Sequence, residues 1–172
     1  MIIEQTKEQF EGAIRFHTHS EIASVRLSRA KLWSKERITR LGSLQVDFDV
    51  NFKPGRVMID DRAVALETDF VFVIAGAEAE QSNDRSHIVI IECCFEVDYV
   101  LSPDYKPTEA DVAAFRSANA VFNCWPFFRE FIQNSITRMN YPPPTVPFLR
   151  IVRKPETPRQ ELPSAEIPTG QS

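Results

Sequence analysis

Residues 118–151 read ANAVFNCWPFFREFIQNSITRMNYPPPTVPFLRI, and this stretch decides which fold the sequence predicts. It begins with apolar side chains at helical spacing. Pro126 suits the first turn of a helix, because its missing N–H costs nothing there, so we expect a helix over 127–139 that stops at Asn140. The prolines that follow exclude helix and predict a stiff extended segment. That segment carries three apolar side chains: Tyr141, Val146 and Phe148.

Three upstream segments alternate apolar and polar side chains with the period of a half-buried strand: residues 44–52, 64–74 and 89–101. A fourth, less regular strand is predicted over 22–33, where a change of phase indicates a β-bulge or the end of the strand. The residues Lys53-Pro54-Gly55 are typical of a turn, so we expect the first of the alternating strands to end there.

A helix start is predicted at Thr108, with Asp111 three residues later as in a capping box. This helix joins the Pro126 helix directly or through a kink near Asn123. Strands followed by helices indicate an α+β fold, a four-stranded antiparallel sheet packed against a long helix.

The 172 residues indicate one domain with flanking segments. Residues 1–20 form an N-terminal segment, in which spacing favours a short amphipathic helix near 4–16. The domain itself spans 21–153. Residues 154–172 contain four prolines and few apolar side chains, so we expect a disordered tail.

The polar positions of the three clear strands share a negative charge, opposed within that phase only by Lys53. The carboxylates are Asp47, Asp49, Glu67, Asp69, Glu92, Glu96 and Asp98. If the strands are neighbours, these side chains form one acidic sheet face that suits a basic partner. The alternative, a strand surface that is simply solvated, stays equally open.

Basic residues collect in the segment 26–40: Arg26, Arg29, Lys31, Lys35, Arg37 and Arg40. A solvated edge strand protected by charge explains them. A nucleic-acid patch or a regulatory site is the rival interpretation, but no aromatic side chains interleave as a stacking platform would require.

The run WPFFREFI at 125–132, followed by Tyr141 and Pro142, resembles the signature region of the SecB family of export chaperones. That region has an aromatic–Pro–aromatic pattern with Arg-Glu on a long helix, then a loop containing aromatic–Pro. The sequence is still more similar to the SecB-like chaperones of tripartite toxin–antitoxin–chaperone systems, which have a proline-rich loop and tail. Two features depart from export SecB: Met139 replaces the usual Gly, and no short helix is predicted after Ile151.

The resemblance implies an ATP-independent chaperone that holds non-native polypeptides and assembles into homodimers or homotetramers. Its partners would be unfolded clients and, through the acidic face, the basic tail of the SecA export motor. A dedicated antitoxin chaperone is the alternative. The client groove would lie between the sheet edge and the proline segment, lined by Phe48, Phe52, Phe127, Tyr141, Val146 and Phe148. The structural signature residues would be Pro126, Arg129, Glu130 and Pro142.

The sequence contains no glycine-rich phosphate loop, nucleophile elbow or metal-ligand spacing. We therefore expect no enzyme, cofactor or metal. The net charge of −4 makes nucleic acid an unlikely partner. We find no leader, and no apolar run approaches the roughly 20 residues that a membrane span requires. We therefore expect a cytoplasmic protein without membrane insertion. The three cysteines are expected to be buried as small hydrophobic side chains.

Overall fold

The computed structural model describes residues 1–35, 45–77 and 86–155. In chain order the elements are β1 (Ile2–Gln5), α1 (Lys7–Thr18), β2 (Ser20–Ser34), β3 (Gln45–Asp60), β4 (Ala63–Ala77), β5 (Ser86–Leu101), α2 (Glu109–Arg138) and β6 (Arg150–Arg153). Strands β2 to β5 form one antiparallel sheet in the order β2–β5–β4–β3, while β1 pairs with β6 in parallel. The predicted α+β fold and its four-stranded sheet are confirmed.

One face of this sheet, here called the inner face, packs on α2 and forms the core. Phe70 of β4 stacks on Phe128 of α2 with ring centroids 4.4 Å apart and planes 15° apart. Phe95 and Val97 of β5 are buried on the same face. The buried stripe of α2 has helical spacing and comprises Phe115, Ala118, Val121, Trp125, Phe128, Ile132 and Ile136. Alternation in the strands and the helical period in α2 thus bury the same core from opposite sides.

The turn predicted at Lys53-Pro54-Gly55 was wrong, because β3 continues through it as far as Asp60. The pairing of β3 with β4 shifts register between Pro54 and Val57, which makes the site a β-bulge. A side chain at Gly55 would bring its Cβ to 2.8 Å from the Cβ of Glu67, so the close approach requires glycine. Pro54 is tolerated because β3 lies at a sheet edge.

Pro126 lies in the middle of α2 rather than at its start, so the predicted position was wrong. The helix instead begins after Thr108, whose side chain accepts a hydrogen bond from the backbone N–H of Asp111, as predicted. Pro126 leaves the carbonyl of Phe122 without its helical donor. Both residues are exposed, so water can replace the lost hydrogen bond. The single helix therefore spans 30 residues.

The N-terminal helix α1 starts with a complete capping box between Thr6 and Gln9 and packs on α2. Its Arg15 lies 2.7 Å from the buried carboxylate of Asp111. Burial alone would raise the pKa of Asp111, but the hydrogen bonds from Arg15 and Thr108 outweigh it and lower that pKa. This ion pair ties the helix predicted near the N-terminus to the start of α2.

Strand β2 contains two register shifts against β5, so the bulge predicted in this strand is confirmed. Cys93, Cys94 and Cys124 are free and buried, as expected. Burial raises the pKa of each thiol to about 12, which leaves all three protonated and unreactive at neutral pH. No helix of the described ranges is long and apolar enough to cross a membrane. The end of the basic segment, residues 36–40, and the predicted tail beyond residue 155 lie outside the described residues.

Candidate functional site: an apolar groove at the proline segment

Helix α2 ends in a Schellman motif that directs the chain back across the sheet. Asn140 has φ 63°, and its backbone N–H donates to the carbonyl of Thr137 over 3.0 Å. The N–H of Tyr141 donates to the carbonyl of Ile136 over 3.1 Å. These two bonds define the motif, and asparagine tolerates its left-handed residue better than most side chains. The predicted helix stop at Asn140 is confirmed, and it fixes the position of the prolines that follow.

Two hydrogen bonds and two buried side chains hold the extended proline segment, residues 141–149, against the domain. The indole N–H of Trp125 donates to the carbonyl of Pro147 over 3.0 Å. The backbone nitrogen of Met1 donates to the carbonyl of Phe148 over 3.0 Å. Val146 and Leu149 are buried, with 1% and 5% exposure. The segment is thus pinned at its far end, while the Schellman motif fixes its beginning.

Between these fixed points, the proline segment and the sheet form the two sides of an apolar groove of about 240 Å³. Its walls are Phe48 and Ile74 of the inner face on one side and Tyr141, Pro142, Pro143 and Pro144 on the other, with Asp47 at the rim. Phe48 is 40% exposed and stacks on the buried Phe72 with ring centroids 5.7 Å apart. The hydroxyl of Tyr141 donates to the carbonyl of Lys35 over 3.5 Å. The groove is therefore open, and both of its walls are fixed.

The structure brings together two of the predicted groove residues, Phe48 and Tyr141. Phe52 lies on the inner face, where it is half-buried and packs edge-on against Trp125 at 6.4 Å, against the core rather than in the groove. Val146 is buried and cannot meet a client there, so its predicted role was wrong. It anchors the segment because alternate residues of an extended chain point to opposite sides.

Phe127 and Phe148 are exposed, at 43% and 74%, but lie outside the groove. The guanidinium carbon of Arg129 lies 4.6 Å from the centre of the Phe148 ring, which makes a cation–π contact. Arg129 is thus a packing partner of the proline segment. Of the other signature residues, Pro126 and Glu130 are exposed on α2 and Pro142 lines the groove.

The opposite, outer face of the sheet differs from the acidic face that the sequence predicted. All seven carboxylates occur at outer-face positions, yet Glu67 and Glu96 are only 2% and 4% exposed. Arginines from both edge strands pair with the carboxylates: Arg26 with Glu96, Arg56 with Glu67, and Arg29 with Glu67 and Asp69. The prediction of one exposed acidic surface was therefore wrong for its central members.

The arginines beside Glu67 change the pKa of this buried carboxylate. The hydrogen bonds from Arg56 contribute most to lowering the pKa of Glu67 to about 2, against the opposing effect of burial. The pKa of Arg26 is raised by its hydrogen bonds to Glu96. The exposed carboxylates that remain are Asp47, Asp49 and Glu92. Sequence reasoning missed the pairs because it treated the basic segment as solvent-facing and never placed it opposite the acidic strand β5.

Comparison with known proteins gives an informative match among solved structures. No protein-family model and no curated protein matches the sequence. Among solved structures, the chain is similar to the SecB-like chaperone of Mycobacterium tuberculosis in complex with a ChAD peptide from the HigA1 antitoxin. The TM-score is 0.69 at 19% identity, over 83% of this chain and 99% of that chain. The fold is SecB-like.

A second solved structure, a protein of unknown function from Streptococcus agalactiae, matches with a TM-score of only 0.36 and 12% identity, over 75% of this chain and 97% of that chain. Similarity at this level does not indicate a shared fold. The SecB-like fold is thus established by the first match together with the sheet order and the long helix. The resemblance of the 125–132 signature predicted this fold correctly.

Proposed function

We propose that this SecB-like protein is an ATP-independent chaperone that binds extended apolar segments of non-native polypeptides in the groove. The observation that carries the proposal is the exposed Phe48 facing a proline wall that is fixed at both ends. Because the proline segment is already held in place, it loses little conformational entropy when a client binds. More of the contact energy is then retained as affinity. We assign it no catalytic residue, and a cytoplasmic location goes with this role.

A pair of phenylalanine variants tests the groove. Phe48 and Phe122 have similar exposure, 40% and 47%, but Phe122 lies on α2 outside the groove. We expect Phe48→Ser to weaken binding of a labelled unfolded polypeptide about tenfold, as expected for loss of an aromatic anchor, while Phe122→Ser leaves it unchanged. Aggregation of a denatured client, followed by light scattering without nucleotide, should be suppressed by the wild-type protein.

Equal loss of client affinity in both variants would show that any exposed phenylalanine can bind clients and that the groove has no special role. Failure of the wild-type protein to suppress aggregation at a several-fold molar excess would refute the chaperone proposal itself. Thermal unfolding of each variant, measured alongside, separates lost affinity from lost folding.

A second candidate is a chaperone dedicated to one antitoxin. It is favoured by the similar SecB-like chaperone of Mycobacterium tuberculosis, which was solved with an antitoxin peptide. A dedicated chaperone would bind one antitoxin segment far more tightly than unrelated denatured clients. Mass spectrometry of what co-purifies from the native cell, followed by titration of that partner against a generic client, distinguishes the two roles.

Protein export through the SecA motor is the weaker form of the proposal. A basic SecA tail needs free carboxylates, whereas Glu67 and Glu96 are buried beside arginines. Glu92 is exposed, so Glu92→Lys is the clean test of such docking. Unchanged affinity for a SecA tail peptide would favour the antitoxin role. A nucleic-acid role for the 26–40 segment is weaker still, because Arg26 and Arg29 already bind carboxylates.

We further propose that the protein is a homodimer or homotetramer associating through β2. This strand is a sheet edge, and its inner-face residues Ile22, Leu27 and Leu32 are 51%, 43% and 42% exposed. Unpaired edges with apolar side chains favour association with another chain. Sedimentation analysis should show an oligomer that Leu27→Lys dissociates. A wild-type monomer at micromolar concentration would refute this.

A further inference from the structure

The outer face of the sheet contains an apolar row beside charged rows. Strand register aligns Trp33 of β2, Ile90 of β5 and Val73 of β4 across three neighbouring strands. Trp33 is 47% exposed. The next row aligns Lys31, Glu92, Val71 and Asn51. A large aromatic side chain in water beside aliphatic neighbours is a typical anchor of a binding surface.

Two adjoining hollows follow these rows and share Lys31 and Glu92. One, of about 290 Å³, lies against Trp33, His87 and Ile90. The other, of about 530 Å³, extends past Val71 to Lys53 of β3. Together they form an outer hollow with an apolar end at Trp33 and a charged end at Lys53.

Among the described residues, the two lysines of this hollow form no ion pair, whereas its arginine does. Arg29 is engaged by Glu67 and Asp69. Lys31 and Lys53 have no ion-pair partner within the described part of the chain, although Lys31 aligns with Glu92 and Lys53 with Asp69. Two ammonium groups beside an apolar wall complement a ligand that carries both carboxylates and aliphatic side chains.

We propose that the outer hollow docks an acidic peptide segment of a partner protein. An aliphatic side chain of that segment packs on Trp33 and Ile90, and its carboxylates pair with Lys31 and Lys53. The site is separate from the client groove, which lies on the inner-face side and contains none of these residues. A run of phosphates fits less well, because it offers no aliphatic side chain to Trp33 and Ile90.

The chain provides its own reporter for this site. It has two tryptophans, of which Trp33 is exposed and Trp125 is 3% exposed. Adding a short tryptophan-free peptide of leucine and glutamate should shift the emission of Trp33 to the blue and protect it from acrylamide quenching. Trp33→Phe should remove the signal. The matching leucine–lysine peptide should give no shift.

Charge reversal tests the lysines. The double variant Lys31→Glu, Lys53→Glu should bind the acidic peptide about tenfold or more weakly, and wild-type affinity should fall as salt rises. The control double variant Lys106→Glu, Lys154→Glu changes the net charge equally at exposed sites away from the hollow and should bind as wild type. Circular dichroism melting checks that both remain folded.

Three results would overturn the proposal. One is equal binding of the basic peptide, and another is stronger displacement of the acidic peptide by single-stranded DNA than by excess unlabelled peptide. The third is loss of acidic-peptide binding in Phe48→Ser with the lysine double variant unaffected. That last outcome would place the peptide in the client groove, and the proposed chaperone function would stand without the outer site.

Discussion

The indole N–H of Trp125 and the carbonyl of Pro147 are joined by a hydrogen bond of 3.0 Å. It links the middle of α2 to the far end of the proline segment. Trp125→Phe removes the donor and leaves the carbonyl of the exposed Pro147 to water. We expect the free energy of unfolding to fall by about 0.5–1.5 kcal/mol, measured by urea denaturation. The exposed Trp33→Phe serves as control and should change it by less than about 0.5 kcal/mol.

The positive φ of Asn140 predicts opposite effects of two substitutions. Asn140→Val places a β-branched side chain in the left-handed region and should lower the free energy of unfolding by about 1–2 kcal/mol. Asn140→Gly should leave it unchanged or slightly higher, because glycine is the preferred residue at this position of a Schellman motif. Thermal unfolding of both variants checks this. Equal destabilisation would mean that the asparagine side chain itself matters.

The lowered pKa of Glu67 predicts acid sensitivity. Its folded pKa, about 2, lies below the ordinary value of 4.5, so its stabilisation is present above pH 4.5 and is lost as pH falls towards 2. The contribution is on the order of 3 kcal/mol. Glu67→Gln should be destabilised at pH 7 and show a flatter dependence of unfolding free energy between pH 5 and 2. Parallel curves for the two proteins would contradict the assignment.

Phe148 offers a test of the exposed end of the proline segment. Because its ring is 74% exposed, Phe148→Ala should cost less than about 1 kcal/mol, mostly the contact with Arg129. We expect clients to extend beyond the groove onto this ring, so Phe148→Ala should weaken client binding about tenfold. Denaturation and client titration on the same variant separate the two effects. A large loss of stability without loss of affinity would make the ring a packing element.

Strand alternation and helix capping were enough to predict the sheet and both ends of α2, because these signals depend on neighbouring residues. Pro54 and Gly55 were misinterpreted because a turn and a β-bulge use the same residues. Only the register with β4 distinguishes them. Pro126 was misplaced because an exposed helix side tolerates proline, and exposure is a tertiary property.

The groove was predicted in part, through the resemblance to the SecB family. Local patterns placed Tyr141 after the helix stop and Phe48 on the apolar face of β3, and the resemblance assigned both to a groove. Burial of Val146 depends on contacts with distant elements. The pairing of Arg26 with Glu96 joins residues 70 apart and requires β2 to lie beside β5. Whether a charged side chain on a strand is exposed to solvent therefore cannot be predicted until the neighbouring strand is known.

The parallel pairing of β1 with β6 has a consequence for synthesis on the ribosome. Ile2 aligns with Arg150, so β1 is synthesised long before the strand with which it pairs. At roughly 5–20 residues per second, this delay lasts on the order of ten seconds or more. The proline segment is completed in the same late interval. A nascent chain therefore cannot offer a finished groove to clients, including its own unfolded segments, until translation has passed β6.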